Sequence, residues 1–305
     1  MIIPGHSYRG ELNDLNDAER ASADRMRDDV KYLSKTIGER NTCKPAELAK
    51  AEEYISAQFF RMGYSHRLET YSTDGVNVSN IEATLTGQSK SNEIIVIGAH
   101  YDSARGTPGA DDNASGVAVL LEIARCFRDC KQARTIRFVA FANEEPPYFQ
   151  TDKMGSYQYA RGCRKRNELI SGMLCLESLG YYSVKAGSQS YPPPLEKIYP
   201  DTGNFIAFCG NIASYPLLRQ CIKHFRSTTQ FPSEGLVAPD VMASIGWSDH
   251  WSFWQAGYPA IMITDSAYFR NPHYHLPTDL PATVDYHQMA RVTEGLKQVI
   301  SSISG

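Results

Sequence analysis

The sequence has no long hydrophobic run, no block of charge of one sign and no CxxC pair. No apolar stretch approaches the roughly 18 residues of a membrane-spanning helix, so we expect no membrane segment. The 31 basic and 34 acidic residues leave a net charge of -3, which gives no electrostatic basis for binding nucleic acid or an anionic membrane. Because no basic segment precedes an apolar core at the start, we see no signal peptide and expect a cytoplasmic protein, or an exported one whose signal was removed.

Motifs of two common enzyme classes are also absent. The glycine-rich stretch 98–110 lacks both GxGxxG and the lysine of a phosphate-binding loop. No serine lies in a GxSxG motif. Ser248, Asp249 and His250 are adjacent, so they cannot form the hydrogen-bonded chain of a catalytic triad. We therefore exclude a nucleotide-binding loop and a serine hydrolase.

The seven cysteines are odd in number. Several lie in apolar segments, such as Cys175 and Cys209, which favours buried, reduced thiols over disulfides. Cys126 and Cys130 are four residues apart on a predicted helix, but no second pair completes a zinc site. We expect both in the core.

Apolar, strand-like segments alternate with amphipathic helical segments along the chain. EIIVIGA, TIRFVAFA and PAIMITD are apolar on both faces, which is typical of buried parallel strands. The predicted fold is α/β, with three layers: a mostly parallel central sheet and helices on both of its faces. We assign residues 1–305 to a single domain, with a loop-rich insertion at about 181–240 near the active site.

Polar residues cluster where the predicted strands end, which is the edge that carries the sites of such sheets. Carboxylates this close repel one another unless a cation lies between them. Mixed imidazole and carboxylate ligands without a thiolate suit zinc, manganese or cobalt. More than four such ligands indicate two ions, ~3.5–4 Å apart, that share one carboxylate. The clustered residues are His100, Asp102, Asp111, Asp112, Glu144, Glu145, Glu177, His273 and His275.

The segments GAHYDS, GADDNASG, NEEP, LESLG and YHLPTD, in this order, resemble the two-zinc exopeptidase family. That family includes bacterial leucyl aminopeptidases, glutamate carboxypeptidases and glutaminyl cyclases, and the resemblance runs from about Asp28 to the C-terminal helix. It implies the zinc-exopeptidase fold and two zinc ions, with cobalt or manganese as alternatives. The resemblance also implies an activity: hydrolytic release of the N-terminal residue from a peptide with a free N-terminus. A zinc-activated water and a glutamate general base would carry out this hydrolysis. The oligomeric state is left open.

The resemblance implies a role for each residue that matches a motif. Glu144 is the implied general base, Tyr274 a phenol near the developing oxyanion, and Asp102 the acid that orients a histidine ligand. Asp111, His250 and His273 are expected to be structural. The implied metal ligands are His100 and Glu177 on the first ion, Glu145 and His275 on the second, and Asp112 as the bridge.

One implied ligand departs from the family pattern, and three other functions stay open. Many members carry Asp at the position of Glu177, whose longer side chain could shift the first ion or change the room for a substrate amine.

A carboxypeptidase or dipeptidase would need basic residues such as Arg105 or Arg270 for the substrate carboxylate. A glutaminyl cyclase would use one zinc. A non-catalytic protein on the same fold is the third alternative.

Overall fold

A computed structural model of the chain describes residues 2–242 and 244–305. Within these residues the strands form one eight-stranded sheet. The strands are β1 (His66–Thr73), β2 (Val76–Leu85), β3 (Lys90–His100), β4 (Arg134–Phe141), β5 (Leu169–Glu177), β6 (Ile206–Asn211), β7 (Ser233–Ala238) and β8 (Ala260–Thr264). Their order across the sheet is β1-β2-β4-β3-β5-β8-β6-β7.

Helices cover both faces of this sheet. The helices are α1 (Asp17–Lys31), α2 (Pro45–Arg61), α3 (Gly116–Phe127), α4 (Gly155–Lys165), α5 (Tyr215–Thr228), α6 (His250–Gln255) and α7 (Tyr286–Ser304). On one face α1, α3, α5 and α7 pack together, and on the other α4 packs against α6. None of the helices in the described part of the chain combines the length and the apolarity needed to cross a bilayer.

The alternation of side chains along β3 explains both helix layers. Ile95 and Ile97 belong to the apolar core that contains α3, whereas Ile94 and Val96 belong to the core that contains α4. Successive residues of a strand face opposite sides of the sheet, so a strand covered on both faces needs a continuous apolar run. The predicted α/β fold with helices on both faces is confirmed.

The sheet is mixed, and its parallel part is central. The strands β4, β3, β5 and β8 are parallel neighbours. The outer pairs β1–β2, β2–β4 and β8–β6 are antiparallel. The edge strand β1 was not anticipated because its sequence, HRLETYST, carries polar residues on both faces. An edge strand that is open to solvent does not need the apolar pattern that marks the central strands.

The predicted loop-rich insertion at 181–240 is irregular only in its first part. Residues 181–205 form turns and one short 3₁₀ turn, Leu195–Lys197. Residues 206–238 contain β6, α5 and β7, which belong to the sheet and to one helix layer. The edge strand β7, with the sequence SEGLVA, has too little apolar periodicity to be recognised. The assignment of residues 1–305 to a single domain stays a prediction.

The cysteines are all free thiols, but not all of them are buried. Cys175 and Cys209 are buried as expected. The expectation that Cys126 and Cys130 lie in the core is wrong, since both are exposed. Cys126 lies on the outer side of the last turn of α3, and Cys130 follows the end of that helix.

The buried His250 makes stability depend on pH. Its Nε2 lies 2.8 Å from the carbonyl oxygen of Ile245, and its ring packs on Trp254. Burial lowers the pKa of His250 from 6.5 to about 4. In the unfolded chain the imidazole of His250 binds a proton near pH 6.5, whereas in the native protein it stays neutral down to about pH 4. The free energy of unfolding therefore falls as the pH decreases from about 6.5 to about 4.

We expect His250 to lower the free energy of unfolding by about 2 kcal/mol between about pH 7.5 and about pH 5. Urea unfolding of the wild type and of His250→Gln at both pH values isolates this contribution, because all other titrating groups are shared. The variant should lose less stability on acidification by that amount. An equal loss in both proteins would contradict the buried, neutral state of His250.

Candidate metal centre

The parallel strands deliver their last residues to one edge of the sheet. β3 ends at His100, β5 ends at Glu177, and Glu144 and Glu145 follow β4 after a two-residue turn. Parallel neighbours have their carboxyl ends at the same edge. All four side chains are buried there, although each is polar.

A first group of ligand atoms forms around His100. Its Nε2 lies 3.3 Å from Asp112 Oδ1 and 3.2 Å from Glu177 Oε2. Glu144 Oε2 is 3.9 Å from the same nitrogen. One nitrogen and oxygens from separate segments of the chain thus converge on a point that a single cation could occupy.

A second group of ligand atoms forms around His275. Its Nε2 lies 3.0 Å from Asp112 Oδ2 and 3.1 Å from Glu145 Oε2. Asp112 therefore belongs to both groups, with one carboxylate oxygen near each histidine. The structure brings together all five residues for which the sequence implied metal binding, His100, Asp112, Glu145, Glu177 and His275.

The chemistry of this donor set fits a divalent cation. Nε2 of His100, Oδ1 of Asp112 and Nε2 of His275 are buried without a hydrogen-bond partner in the described residues. The two imidazole nitrogens lie 3.3 and 3.0 Å from the two carboxylate oxygens of Asp112, so these atoms converge without the alignment that a hydrogen bond needs. Buried polar atoms without partners are rare in native proteins and require an explanation, which a bound metal ion supplies.

The electrostatics of the cluster indicate the same requirement for positive charge. Burial opposes charge on His275, but Asp112 and Glu145 outweigh it and raise its pKa to about 10. Burial raises the pKa of Glu145 to about 7 and that of Glu144 well above its usual range. Burial alone would also raise the pKa of Asp112, but His100 and His275 hold it well below its ordinary value. Burial thus favours the neutral form of Glu144 and Glu145, whereas Asp112, which lies between the two imidazoles, favours the charged form.

Asp102 contacts more of the site than the sequence implied. Its Oδ1 is 3.4 Å from Nδ1 of His100, as expected for a residue that orients this ring. Its two oxygens also accept the backbone N–H groups of Glu144 and Glu145, at 3.0 and 3.1 Å. Asp102 therefore fixes the turn after β4 and lies beside the imidazole of His100.

Asp279 holds the loop of Asp112 in the same way, and sequence reasoning gave it no role. Its Oδ1 and Oδ2 accept the backbone N–H groups of Asp111 and Asp112, at 2.9 and 3.1 Å. Asp279 is the last residue of YHLPTD, so its position was visible in the motif. Its function was not, because an acceptor of backbone N–H groups leaves no pattern in the sequence.

The carboxylate of Glu177 is held from both sides. Ser178 Oγ donates a hydrogen bond to Oε1 at 3.0 Å, and Ser248 Oγ donates one to Oε2 at 2.6 Å. Both serines are buried. The longer side chain that departs from the family pattern is thus fixed, with Oε2 still beside His100.

The other residues considered from the sequence lie around this cluster. The ring of Tyr274 stacks on that of His275, with centroids 3.9 Å apart. Both residues line a cleft whose walls also include Asp112, Glu144, Glu145 and Glu177. Asp111 accepts hydrogen bonds from the backbone N–H of Gly180 and the side chain of Asn271, which agrees with a structural role. His273 Nδ1 lies 3.0 Å from Thr278 Oγ1, outside both ligand groups.

An apolar cavity, partly open to solvent, adjoins the cleft. The cleft and the cavity share Glu177 and three aromatic residues, Trp247, Tyr268 and Tyr274. The remaining cavity wall is mainly apolar and includes Phe205, Cys209, Leu236 and Met262. Glu177 therefore lies where the polar cleft meets an apolar space of side-chain size.

These features define an α/β protein with a candidate centre for divalent cations at the carboxyl edge of its parallel strands. Residues 80–300 match peptidase family M28, and the chain belongs to this family. The names of its relatives support a zinc metallopeptidase. The resemblance to zinc exopeptidases is confirmed at the level of the family.

Two curated proteins and one solved structure illustrate these similarities. The uncharacterized protein YfbL of Escherichia coli (strain K12) is 36% identical over 309 residues, which cover 95% of this chain and 91% of that protein. Leucine aminopeptidase 1 of Arthroderma otae is 28% identical over 239 residues, 74% of this chain and 57% of that protein. The zinc aminopeptidase of Bacillus subtilis shares the fold with a TM-score of 0.72 and 14% identity, over 92% of this chain and 95% of that chain.

The Asp279 contacts lead to a prediction about metal affinity. In Asp279→Asn, the amide group cannot accept from both backbone N–H groups, so the loop of Asp112 loses one anchor. We expect zinc affinity to fall about 10- to 100-fold, measured by competition with a chromophoric chelator.

Asp285→Asn is the matched control. Asp285 accepts one backbone N–H, that of Gln288, at the start of α7. Asn caps a helix about as well as Asp, so zinc affinity should stay at the wild-type value. Equal affinities in all three proteins would show that Asp279 does not hold the metal centre.

Proposed function

We propose that this protein is an aminopeptidase. It would use two zinc ions, bound side by side, to release the N-terminal residue of peptides by hydrolysis. The observation that carries the proposal is the position of Asp112, whose two carboxylate oxygens lie near His100 and His275. A carboxylate between two histidine-containing ligand groups is what a pair of ions that share a ligand requires.

The ligand groups assign residues to each ion. His100, Asp112 and Glu177 would hold one ion, and Asp112, Glu145 and His275 the other. When bound, such ions lower the pKa of a water molecule and polarise the scissile carbonyl group. Cobalt or manganese would suit the same donors.

Glu144 is the proposed general base. Glu144 lies in the cleft beside the ligand groups. Its backbone N–H donates a hydrogen bond to Asp102, which fixes the backbone at this position. Adjacent residues at the end of β4 have different surroundings, so Glu145 approaches His275 while Glu144 approaches His100. In this position Glu144 would accept the proton of the attacking water and pass it to the leaving amine.

Tyr274 and the surplus of carboxylates would bind the substrate around the scissile bond. The phenol of Tyr274 lines the cleft and would donate a hydrogen bond to the oxygen that becomes negative in the transition state. A protonated α-amine would be attracted by Glu177 at the junction of cleft and cavity. The side chain of the N-terminal residue would then enter the apolar cavity.

The described walls of the cleft favour an aminopeptidase over a carboxypeptidase. Neither Arg nor Lys occurs among the described residues that line it, although a substrate carboxylate would need a cationic partner. Arg270 is buried, and its guanidinium group donates to Gln189 and to the carbonyl of Phe205. Arg105 is exposed on the loop after β3. A single-zinc cyclase would not require the second ligand group.

Kinetics of Glu144→Gln test this function. Zinc-loaded wild type should hydrolyse aminoacyl anilides with a free amine and leave N-acetylated analogues intact. The variant should lose about 10²- to 10⁴-fold in kcat because it lacks the general base, with zinc content and KM nearly unchanged. Glu53→Gln, at an exposed position on α2, should behave like the wild type.

Three outcomes would overturn parts of this proposal. Cleavage of N-acetylated substrates at an equal rate would exclude the aminopeptidase. Release of a pyroglutamyl peptide from a glutaminyl substrate, without hydrolysis, would identify a cyclase. Full activity of zinc-loaded Glu144→Gln would remove Glu144 from its proposed role.

Filling the apolar cavity tests its proposed role in side-chain selection. Ala207 and Cys209 of β6 both line the cavity, because alternate residues of a strand share a face. Cys209→Phe should lower kcat/KM for leucyl and phenylalanyl substrates by about 10- to 100-fold and leave alanyl substrates nearly unaffected. Cys209→Ala is the matched control and should keep wild-type kinetics. Equal losses for small and large substrates would show that the side chain binds elsewhere.

A further inference from the structure

A fully buried arginine, Arg40, contacts the loop between β3 and Asp112 from the N-terminal part of the chain. Arg40 lies between α2 and the π-helical turn Tyr32–Ile37, which directly follows α1. It lies outside residues 80–300, the part that matches the family. None of its side chain is exposed, which is rare for an arginine.

The guanidinium group of Arg40 joins both ends of one loop. Nε donates to the carbonyl oxygen of Tyr101 at 2.7 Å. Nη1 donates to that of Pro108 at 2.5 Å, and Nη2 to that of Gly109 at 2.9 Å. Tyr101 directly follows β3. Gly109 precedes the π-helical turn Ala110–Ser115, which carries Asp112. One planar cation therefore sets the spacing between the two ends of the loop.

The backbone around Arg40 contacts the middle of the same loop. The backbone N–H of Ser103 donates to the carbonyl oxygen of Arg40 at 3.0 Å. In the opposite direction, the N–H of Arg40 donates to Ser103 Oγ at 3.1 Å. The side chain of Asn41 donates to the carbonyl oxygen of Ser103. Asp102 lies within this segment, so its position depends on the same contacts.

Among residues 2–242 and 244–305, Arg40 has no partner in a direct ion pair. Its side-chain hydrogen bonds go to carbonyl oxygens, including that of Gly38. Burial lowers the pKa of Arg40 to about 10, while the charges of Asp102, Asp279, Asp112 and Glu145 oppose that shift. Arg40 thus remains charged at neutral pH, and its field acts on the carboxylates of the metal centre.

We propose that Arg40 is a positioning residue of the metal centre. It holds the loop that carries Asp102 and leads directly to Asp112 in the ligand-binding arrangement, and its fixed charge reduces the repulsion among the carboxylates. This inference rests on the proposed metal-dependent function. It makes the N-terminal helices a part of the active site rather than an addition to the family domain.

Zinc affinity and thermal stability, measured on the full chain, test the inference. Arg40→Met removes the charge and all three loop contacts, and should lower zinc affinity about 100-fold. Arg40→Lys keeps the charge but offers a single nitrogen in place of the three that each reach a different carbonyl group, and should lower zinc affinity about 10-fold. In both variants the rise in Tm on adding zinc should be smaller than in the wild type.

Arg137→Met is the matched control for the loss of a largely buried arginine. Arg137 lies on β4, four residues before the end of the strand, and forms an ion pair with Glu168. It should lower the Tm of the metal-free and zinc-loaded forms equally and leave zinc affinity unchanged.

The outcomes separate this inference from the proposed function. If the Arg40 variants keep wild-type zinc affinity and lose equal Tm with and without zinc, Arg40 is only structural and the inference is wrong. If Arg40→Met does not fold, Arg40→Lys alone decides: reduced affinity supports the inference and unchanged affinity overturns it. Wild type that binds no zinc would overturn the proposed function, and this inference with it.

Discussion

The structure depends on the burial of several carboxylates at one edge of a parallel sheet. Such a cluster is stable only when positive charge lies within it, because ionised acids in a weakly polar interior repel one another. His100 and His275 occupy the points where the carboxylates converge, and Arg40 lies behind the loop that supplies two of them. The unpaired ring and carboxylate atoms that remain are those that a metal ion would satisfy. Fold, charge and proposed chemistry therefore follow from the same constraint.

Two buried carboxylates, Asp102 and Asp279, hold the backbone at this edge of the sheet. Asp102 accepts two consecutive backbone N–H groups at the turn after β4, and Asp279 does the same at the loop of Asp112. Each acid fixes a segment that bears proposed ligands without using the ligand side chain. The two contacts link segments that are distant in sequence, so the position of one proposed ligand constrains the others. A pair of ions a few Å apart needs this fixed spacing.

The sequence predicted the central strands and the site residues because both follow short-range patterns. His100, Glu145 and Glu177 follow or end apolar runs, and the order of the motifs relates them to one family. The edge strands β1 and β7 escaped because one-sided, solvent-facing strands need no apolar run. Arg40 also escaped, since its partner Tyr101 is 61 residues away and its contacts are to carbonyl groups, which every residue has. Long-range backbone contacts are thus the part of the site that no motif records.

The departure at Glu177 links metal binding to substrate selection. Oε2 of the longer side chain lies 3.2 Å from Nε2 of His100, while Ser178 and Ser248 donate hydrogen bonds to its two oxygens. The same residue lines both the polar cleft and the apolar cavity. Ser248 precedes α6, whose Trp254 packs in the apolar core behind the cavity. Ser248 thus connects the carboxylate of Glu177 to this helix layer. The first proposed ligand group and the wall of the apolar cavity therefore share one residue, Glu177, whose carboxylate is fixed by two serines.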